Sequence, residues 1–221
     1  MNFYSKVMLT YNTLSFYLQL VINLTLLTGL IVLVMNDAKS KIVLLVFLFG
    51  ELLLELSDYI DRLLDLHTIN IYNYPLSQFF GILMITAIYD RYFFSIGRSL
   101  KVLIGIFAVL SLVFNIVYMQ NIQSATFYSN IITSIIVSSF AAYYFLYMIK
   151  KGNTRNTLFV TNILVFLFFS VECLISTTFN FLINNYLEWV APIWLFRGVL
   201  LLSFYISFIN LGWHTRTMKV R

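Results

Sequence analysis

Apolar runs long enough to cross a bilayer recur seven times along the chain, separated by short polar links. They fall at about 13–35, 42–62, 75–97, 101–119, 130–149, 157–183 and 191–212. The links are NDAKS, a longer one around HTINIYNY, GRSLK, QNIQSATFYS, KKGNTRN and NNYLEWVA. No repeat or low-complexity tract interrupts the series. The pattern predicts an all-α, polytopic seven-helix transmembrane bundle forming one domain over residues 1–221. The first run is followed by Lys39 and Lys41 and shows no small-residue cleavage site, which predicts a retained helix rather than a signal peptide.

Polar positions inside these runs fall in lines. In GELLLELSDYIDRLLDLH, residues 50–67, Glu51, Glu55, Asp58, Arg62 and Asp65 recur at steps of four, three, four and three, which stacks them on one helix face among leucines. Residues 42–50 are unbroken apolar sequence, so the helix becomes acidic toward its far end, and that face must look into protein or water. Extended to Leu66 it is about 25 residues and ~38 Å long, more than a ~30 Å hydrocarbon core, and must tilt or project. Asn12, Ser15, Gln19 and Asn23 form a second polar line in the first helix, and Glu172, Ser176, Asn180 and Asn184 a third in the sixth. Ser134, Ser138 and Ala142 give the fifth helix a small-residue face suited to close packing. The seventh begins near Pro192 and reaches Arg197 within two turns.

Composition turns this pattern into a class. The chain is 61% hydrophobic and 10% charged, with mean hydropathy +0.88, which leaves no room for a soluble catalytic, nucleotide-binding or DNA-binding domain. The formal charge of +5 therefore reports topology, and nucleic acid is excluded as a partner. Lys39, Lys41, Arg98, Lys101, Lys150, Lys151, Arg155, Arg216, Lys219 and Arg221 share one side with the C-terminus, against Lys6 and Arg62 on the other. The positive-inside rule then predicts an outside N-terminus and a cytoplasmic C-terminus. Trp189, Trp194 and Trp213 suit interfacial belts. Cys173 is the single cysteine, so no internal disulfide forms.

In that orientation Glu51 lies near mid-membrane, Glu55, Asp58, Glu172 and Arg197 in the outer half, and Asp61, Arg62 and Asp65 at the outer interface. Glu51, Glu55, Asp58, Glu172 and Arg197 are the candidate ligand- or proton-binding residues of one outer-half cavity, with Gln78 and Asn115 at its wall. A charged side chain at a helix centre costs ~2.5–3.5 kcal/mol, so three carboxylates and an arginine cost on the order of 10 kcal/mol unless paired, hydrated or neutralised. Arg197 neutralises only one acid fully and leaves the others to water or to a proton. The competing reading is that Glu172 or Glu55 pairs with Arg197 only to fix helix packing.

Several chemistries are excluded. The seventh helix holds no lysine for a retinal Schiff base. His67 falls in an outer link and His214 in the tail, so neither a metal site nor a Ser-His pairing can be drawn, and no cofactor is expected. Cys173 lacks a partner base; acid/base work by the paired carboxylates Glu51 and Glu55 stays open, though without a visible substrate site. The chain reads as a non-enzyme. Asp90-Arg91-Tyr92, near the cytoplasmic end of the third helix, resembles the triplet of G-protein-coupled receptors, but no Asn-Pro-x-x-Tyr pattern or cysteine pair accompanies it. Asp90 and Arg91 are expected to form an inner-half charge pair.

Across most of its length, from YPLSQFFGILMITAIYDRYF through FYSNIITSIIVSSFAAYYF to VECLISTTFNFLI and APIWLFRGVLLLSF, the chain resembles the small seven-helix integral membrane proteins of Bacteroidetes-type bacteria. The shared features are Asn130, Glu172, and Pro192 with Trp194. The resemblance implies a bacterial inner-membrane location and, through likeness to the membrane halves of histidine-kinase systems, a signalling association.

Three functions suit these features. The first is a non-enzymatic sensor or accessory protein whose outer cavity takes a small-molecule ligand or proton, and whose basic cytoplasmic corners meet a membrane or cytoplasmic protein partner. Those corners also answer to topology and anionic lipid alone. The second is a small proton-coupled carrier using Glu51, Glu55 and Glu172. The third is a structural subunit whose acidic second helix meets a basic helix of another protein.

Overall fold

In lipid each backbone N–H and C=O must be satisfied within its own segment, so apolar runs of this kind fold as α-helix. The computed structural model describes residues 3–35, 41–64, 70–118, 122–151 and 157–214. They form seven helices: α1 Phe3–Met35, α2 Ile42–Leu64, α3 Asn70–Ile88, α4 Arg98–Val117, α5 Ile122–Lys151, α6 Thr157–Asn185 and α7 Leu187–His214. No strand occurs among the described residues. Five of these helices, α1, α4, α5, α6 and α7, are long and apolar enough to cross a membrane. This is an integral membrane architecture. In α2 the apolar run is broken by Glu51, Glu55 and Asp58, and α3 opens on the polar stretch NIYNYP.

Helix boundaries depart from the apolar runs where polar sequence continues a helix. α5 starts at Ile122, inside the expected QNIQSATFYS link, and only Tyr186 separates α6 from α7. Pro75 and Pro192 fall within α3 and α7 rather than at their starts. At its other end α3 passes into a π-helical turn, Tyr89–Phe93, and stops at the extended Phe94, short of the expected residue 97. Hydropathy reports contact with lipid, whereas a helix needs only its own backbone hydrogen bonds, so the two boundaries need not coincide.

Side-chain contacts fix the directions. Gly198 meets Leu18, Gly29 meets Ile209 and Gly212 meets Leu33, so α1 and α7 run parallel. Gly50 lies against the Phe80 ring, with α2 and α3 antiparallel. A Cβ at Gly50 would sit 2.1 Å from that ring, which is why glycine stands there. Helices α1, α2, α3, α5, α6 and α7 close a ring in that order, α2 also touches α7, and α4 packs outside against α3 and α5. Inside the ring Phe47, Phe168, Phe204 and Phe208 make one aromatic cluster, and Tyr89, Phe93, Phe140 and Tyr144 another.

Arg91, Arg98, Lys101, Lys150 and Lys151 all lie at the end where α3 and α5 finish and α4 begins. Lys41, read from the sequence as a topology signal, is fully buried at the start of α2. Asp61, expected at the interface, is also buried. Asp65, His67, Lys39, Arg155, Arg216, Lys219 and Arg221 lie outside the described residues.

Candidate functional site

The acidic line of α2 turns into the ring. Glu51, one turn beyond Phe47, is buried and accepts a 2.7 Å hydrogen bond from the Tyr205 hydroxyl of α7. Glu55 follows one turn later, half-buried, with Arg197, Asp58 and Arg62 as its charged neighbours. Asp58 accepts from Gln19 Nε2 of α1 and pairs with Arg62 at 3.3 Å.

The opposite wall comes from α6 and α7. Arg197 donates from Nε to Glu172 Oε1. Its guanidinium lies over the Trp194 ring at 5.1 Å and near the Phe168 ring at 6.0 Å. Glu172 is further held by Asn130 Nδ2 at 3.1 Å, and the same amide donates to Ser176 Oγ at 2.7 Å. Both carboxylate oxygens of Glu172 are thus occupied by donors, which is how a buried ion pair offsets its desolvation. On α3, Gln78 accepts from Ser129 of α5, and Ser129 accepts in turn from Asn115 of α4 at 3.1 Å.

These side chains enclose two joined spaces. A vestibule of about 600 Å³ is lined by Asn12, Ser15 and Gln19 of α1, by Asp58 and Arg62 of α2, and by Trp194 of α7. A smaller chamber of about 90 Å³ lies deeper, lined by Glu51, Gln78, Asn130, Thr133, Glu172 and Tyr205. Glu55, Tyr74, Ser77, Arg197 and Leu201 line both and form the neck between them. Beyond Tyr205 the bundle is filled by Phe47, Phe204 and Phe208, all buried and in mutual ring contact. The vestibule lies at the end where α1, α3 and α7 begin and α2 finishes.

Of the residues singled out from sequence, Glu51, Glu55, Asp58, Glu172 and Arg197 are gathered around these spaces. Gln78 lines the chamber, whereas Asn115 only supports it through Ser129. Asn23 is buried behind Gln19, whose backbone carbonyl it bonds at 3.0 Å. Asn180 and Asn184 are exposed and take no part. On α5, Ser134 is buried, but Ala142 is exposed and Ala141 takes the inward position.

The expected pairing of Asp90 with Arg91 does not form. Successive residues on a helix point about 100° apart. Asp90 instead pairs with Lys101 at 2.9 Å and accepts the Ile96 N–H at 2.8 Å, while Arg91 is exposed.

Tyr205 and Tyr74 escaped the sequence reading, because tyrosine in an apolar run reads as an interfacial anchor. Tyr205 nevertheless lies eight residues after Arg197, two turns along one stripe, and that spacing was the available signal. Asn130 was noted only as a point of resemblance. Chemically, the site offers paired and unpaired carboxylates, the two guanidiniums of Arg62 and Arg197 and the three phenols of Tyr11, Tyr74 and Tyr205, and no group of three His, Cys, Asp or Glu among the described residues could hold a metal ion. No family model matches the chain, and no curated protein or solved structure matches it significantly, so the geometry alone carries the functional reading.

Proposed function

We propose that the protein is a non-enzymatic membrane receptor, a sensor or accessory subunit, that takes a small molecule into the vestibule and transmits its presence to a partner protein. The observation that carries this reading is the blind end of the cavity. The vestibule narrows through Glu55, Tyr74 and Arg197 into a small polar chamber, and the chamber ends against the buried Phe47 and Phe204, on which Phe208 packs. A cavity open at one end suits capture better than passage.

The seven helices alternate in direction, and the described cations of the α3–α4 corner and the α5 end lie opposite the vestibule. This supports an outside N-terminus, a cytoplasmic C-terminus and all seven helices crossing a bacterial inner membrane. Helix α7 supplies Arg197 at the neck, Tyr205 in the chamber and Phe208 beyond it. A ligand that binds one arrangement of α7 against α2 better than another would bias that packing, and the cytoplasmic end would report it to the partner.

Titration of candidate ligands against the thermal stability of the purified protein tests the receptor. A compound should stabilise the wild type and lose affinity in Arg197→Leu and Glu172→Gln. Unchanged affinity in both variants would remove the site from the account. Native mass spectrometry of protein gently extracted from its own membranes tests the signalling half: a stoichiometric protein companion supports it, and a lone chain with a retained small molecule turns the reading toward a free-standing receptor or a carrier. The carrier reading draws on the deep placement of Glu51. Uptake into proteoliposomes that requires a pH gradient and vanishes in Glu51→Gln would establish it.

A further inference from the structure

Two acids of the site stand outside its ion pairs, although Glu55 has Arg197 and Arg62 among its charged neighbours. Glu172 holds Arg197 and Asp58 holds Arg62, but Glu51 and Glu55 form no ion pair among the described residues. They stand one turn apart on α2, so they project to the same side, and both line the chamber. Glu51 is 7% exposed. One of its oxygens accepts from Tyr205, and the other has no donor among the described residues. On the vestibule wall Gln19, 6% exposed, gives its Nε2 to Asp58 and keeps its Oε1 buried without a partner. A carboxylate in apolar surroundings is costly until water, a proton or a cation compensates it.

The chemistry of that cation follows from the site. No trio of His, Cys, Asp or Glu converges as a metal site among the described residues, so a cation bringing its own hydrogen-bond donors fits better than a bare ion. An –NH₃⁺ group has three such donors. The chamber, at about 90 Å³, holds about three waters at ~30 Å³ each, which is room for an ammonium head and a methylene or two. A larger carbon body must then lie in the vestibule, where Tyr74 and Trp194 present aromatic surface. Three acids line the chamber against one arginine, so a cation lowers its net charge whereas an anion raises it.

We propose that the site binds an organic ammonium ion, its charged head between Glu51 and Glu55 in the chamber and its carbon body in the vestibule. The assignment rests on the receptor reading and narrows its ligand class.

The full-length protein, purified in detergent at constant ionic strength, is titrated with n-butylammonium, 1,4-butanediammonium, butyrate and butanol, and its unfolding temperature recorded. One or both ammonium ions should raise that temperature saturably, while butyrate and butanol leave it unmoved. Glu51→Gln and Glu55→Gln should each weaken the ammonium effect by about tenfold or more, because each removes a charge-assisted hydrogen bond. Where Glu51→Gln does not fold, Glu55→Gln, half-buried at the neck, carries the same expectation. Stabilisation by butyrate through Arg197 would overturn the ammonium assignment and leave the receptor standing. An equal effect of sodium or potassium chloride would overturn it in favour of a simple ion. An ammonium effect undiminished in Glu55→Gln would overturn the seat, and silence of both ammonium ions would overturn the ligand class. Silence of a broad chemical panel as well would remove the receptor reading with it.

Discussion

The Tyr205 hydroxyl and the Glu51 carboxylate, 154 residues apart in sequence, meet at 2.7 Å and join α7 to α2 at the inner end of the polar chamber. Polar groups this deep are stable only when they find each other. Around this contact Phe47 packs on the Tyr205 ring at 6.4 Å and on Phe208 at 5.2 Å, so the hydrogen bond sits on an apolar floor. Tyr205→Phe keeps the ring and removes the donor. Hydrogen bonds between membrane helices contribute roughly 0.6 kcal/mol on average and up to ~2 kcal/mol. A double-mutant cycle of Tyr205→Phe with Glu51→Leu, which removes the acceptor, should therefore return a coupling of about 1 kcal/mol. A coupling indistinguishable from zero would mean that water serves Glu51 equally well.

Arg197 and Glu172 should respond asymmetrically to removal of one partner. Arg197→Leu strands a buried carboxylate that Asn130 alone cannot satisfy, and breaking a buried pair in this way costs ~3–5 kcal/mol. Glu172→Gln keeps one acceptor oxygen, enough for Arg197, while Asn130 retains its bond to Ser176, and it should cost less. The double variant Arg197→Leu, Glu172→Leu should recover part of the loss, because no uncompensated charge remains. Unfolding measurements that rank Glu172→Gln as the most damaging of the three would contradict this account.

Two glycines separate packing from helix propensity. At Gly50 an added Cβ would meet the Phe80 ring at 2.1 Å, whereas at Gly105 of α4 nothing lies within 4 Å. Gly50→Ala should therefore destabilise the α2–α3 contact by ~1–3 kcal/mol, the range typical of overpacking. Gly105→Ala should be neutral or stabilising by up to ~1 kcal/mol, since alanine is the better helix former. Thermal unfolding of the two variants reads the difference directly.

Much of the site was legible because acids and arginine in an apolar chain are conspicuous. The four-residue and three-residue spacing of Glu51, Glu55 and Asp58 can mean only one face of a helix, and depth alone brings Glu172 and Arg197 to the same level. What periodicity cannot supply is the neighbour. That α1 runs beside α7, with Gly212 against Leu33, depends on contacts nearly 180 residues apart by number, roughly the span of the whole bundle. Tyr205 was hidden for the opposite reason: its ring satisfies an apolar pattern while its hydroxyl serves a polar one. Asn180 and Asn184 continue the line of Glu172, yet α6 carries them out of the ring onto exposed positions.

The α3–α4 corner tests the corrected pairing of Asp90. One carboxylate oxygen accepts the Ile96 N–H at 2.8 Å and the other pairs with Lys101 at 2.9 Å, bridging the π-helical turn to the start of α4. The Ile96 residue is itself buried, so its amide has no ready water to replace Asp90. Asp90→Ala should therefore cost ~1–2 kcal/mol, as for a lost capping acceptor. Lys101 is 42% exposed at its side chain, and an exposed ion pair contributes only ~0–1 kcal/mol. Lys101→Ala should thus cost less than Asp90→Ala, and Arg91→Ala should stay within ~0.5 kcal/mol of wild type. Hydrogen exchange at the Ile96 amide should accelerate in Asp90→Ala and remain slow in Arg91→Ala. If Arg91→Ala instead proved the more damaging, the corner would be held by Arg91 and the contact between Asp90 and Ile96 would be incidental.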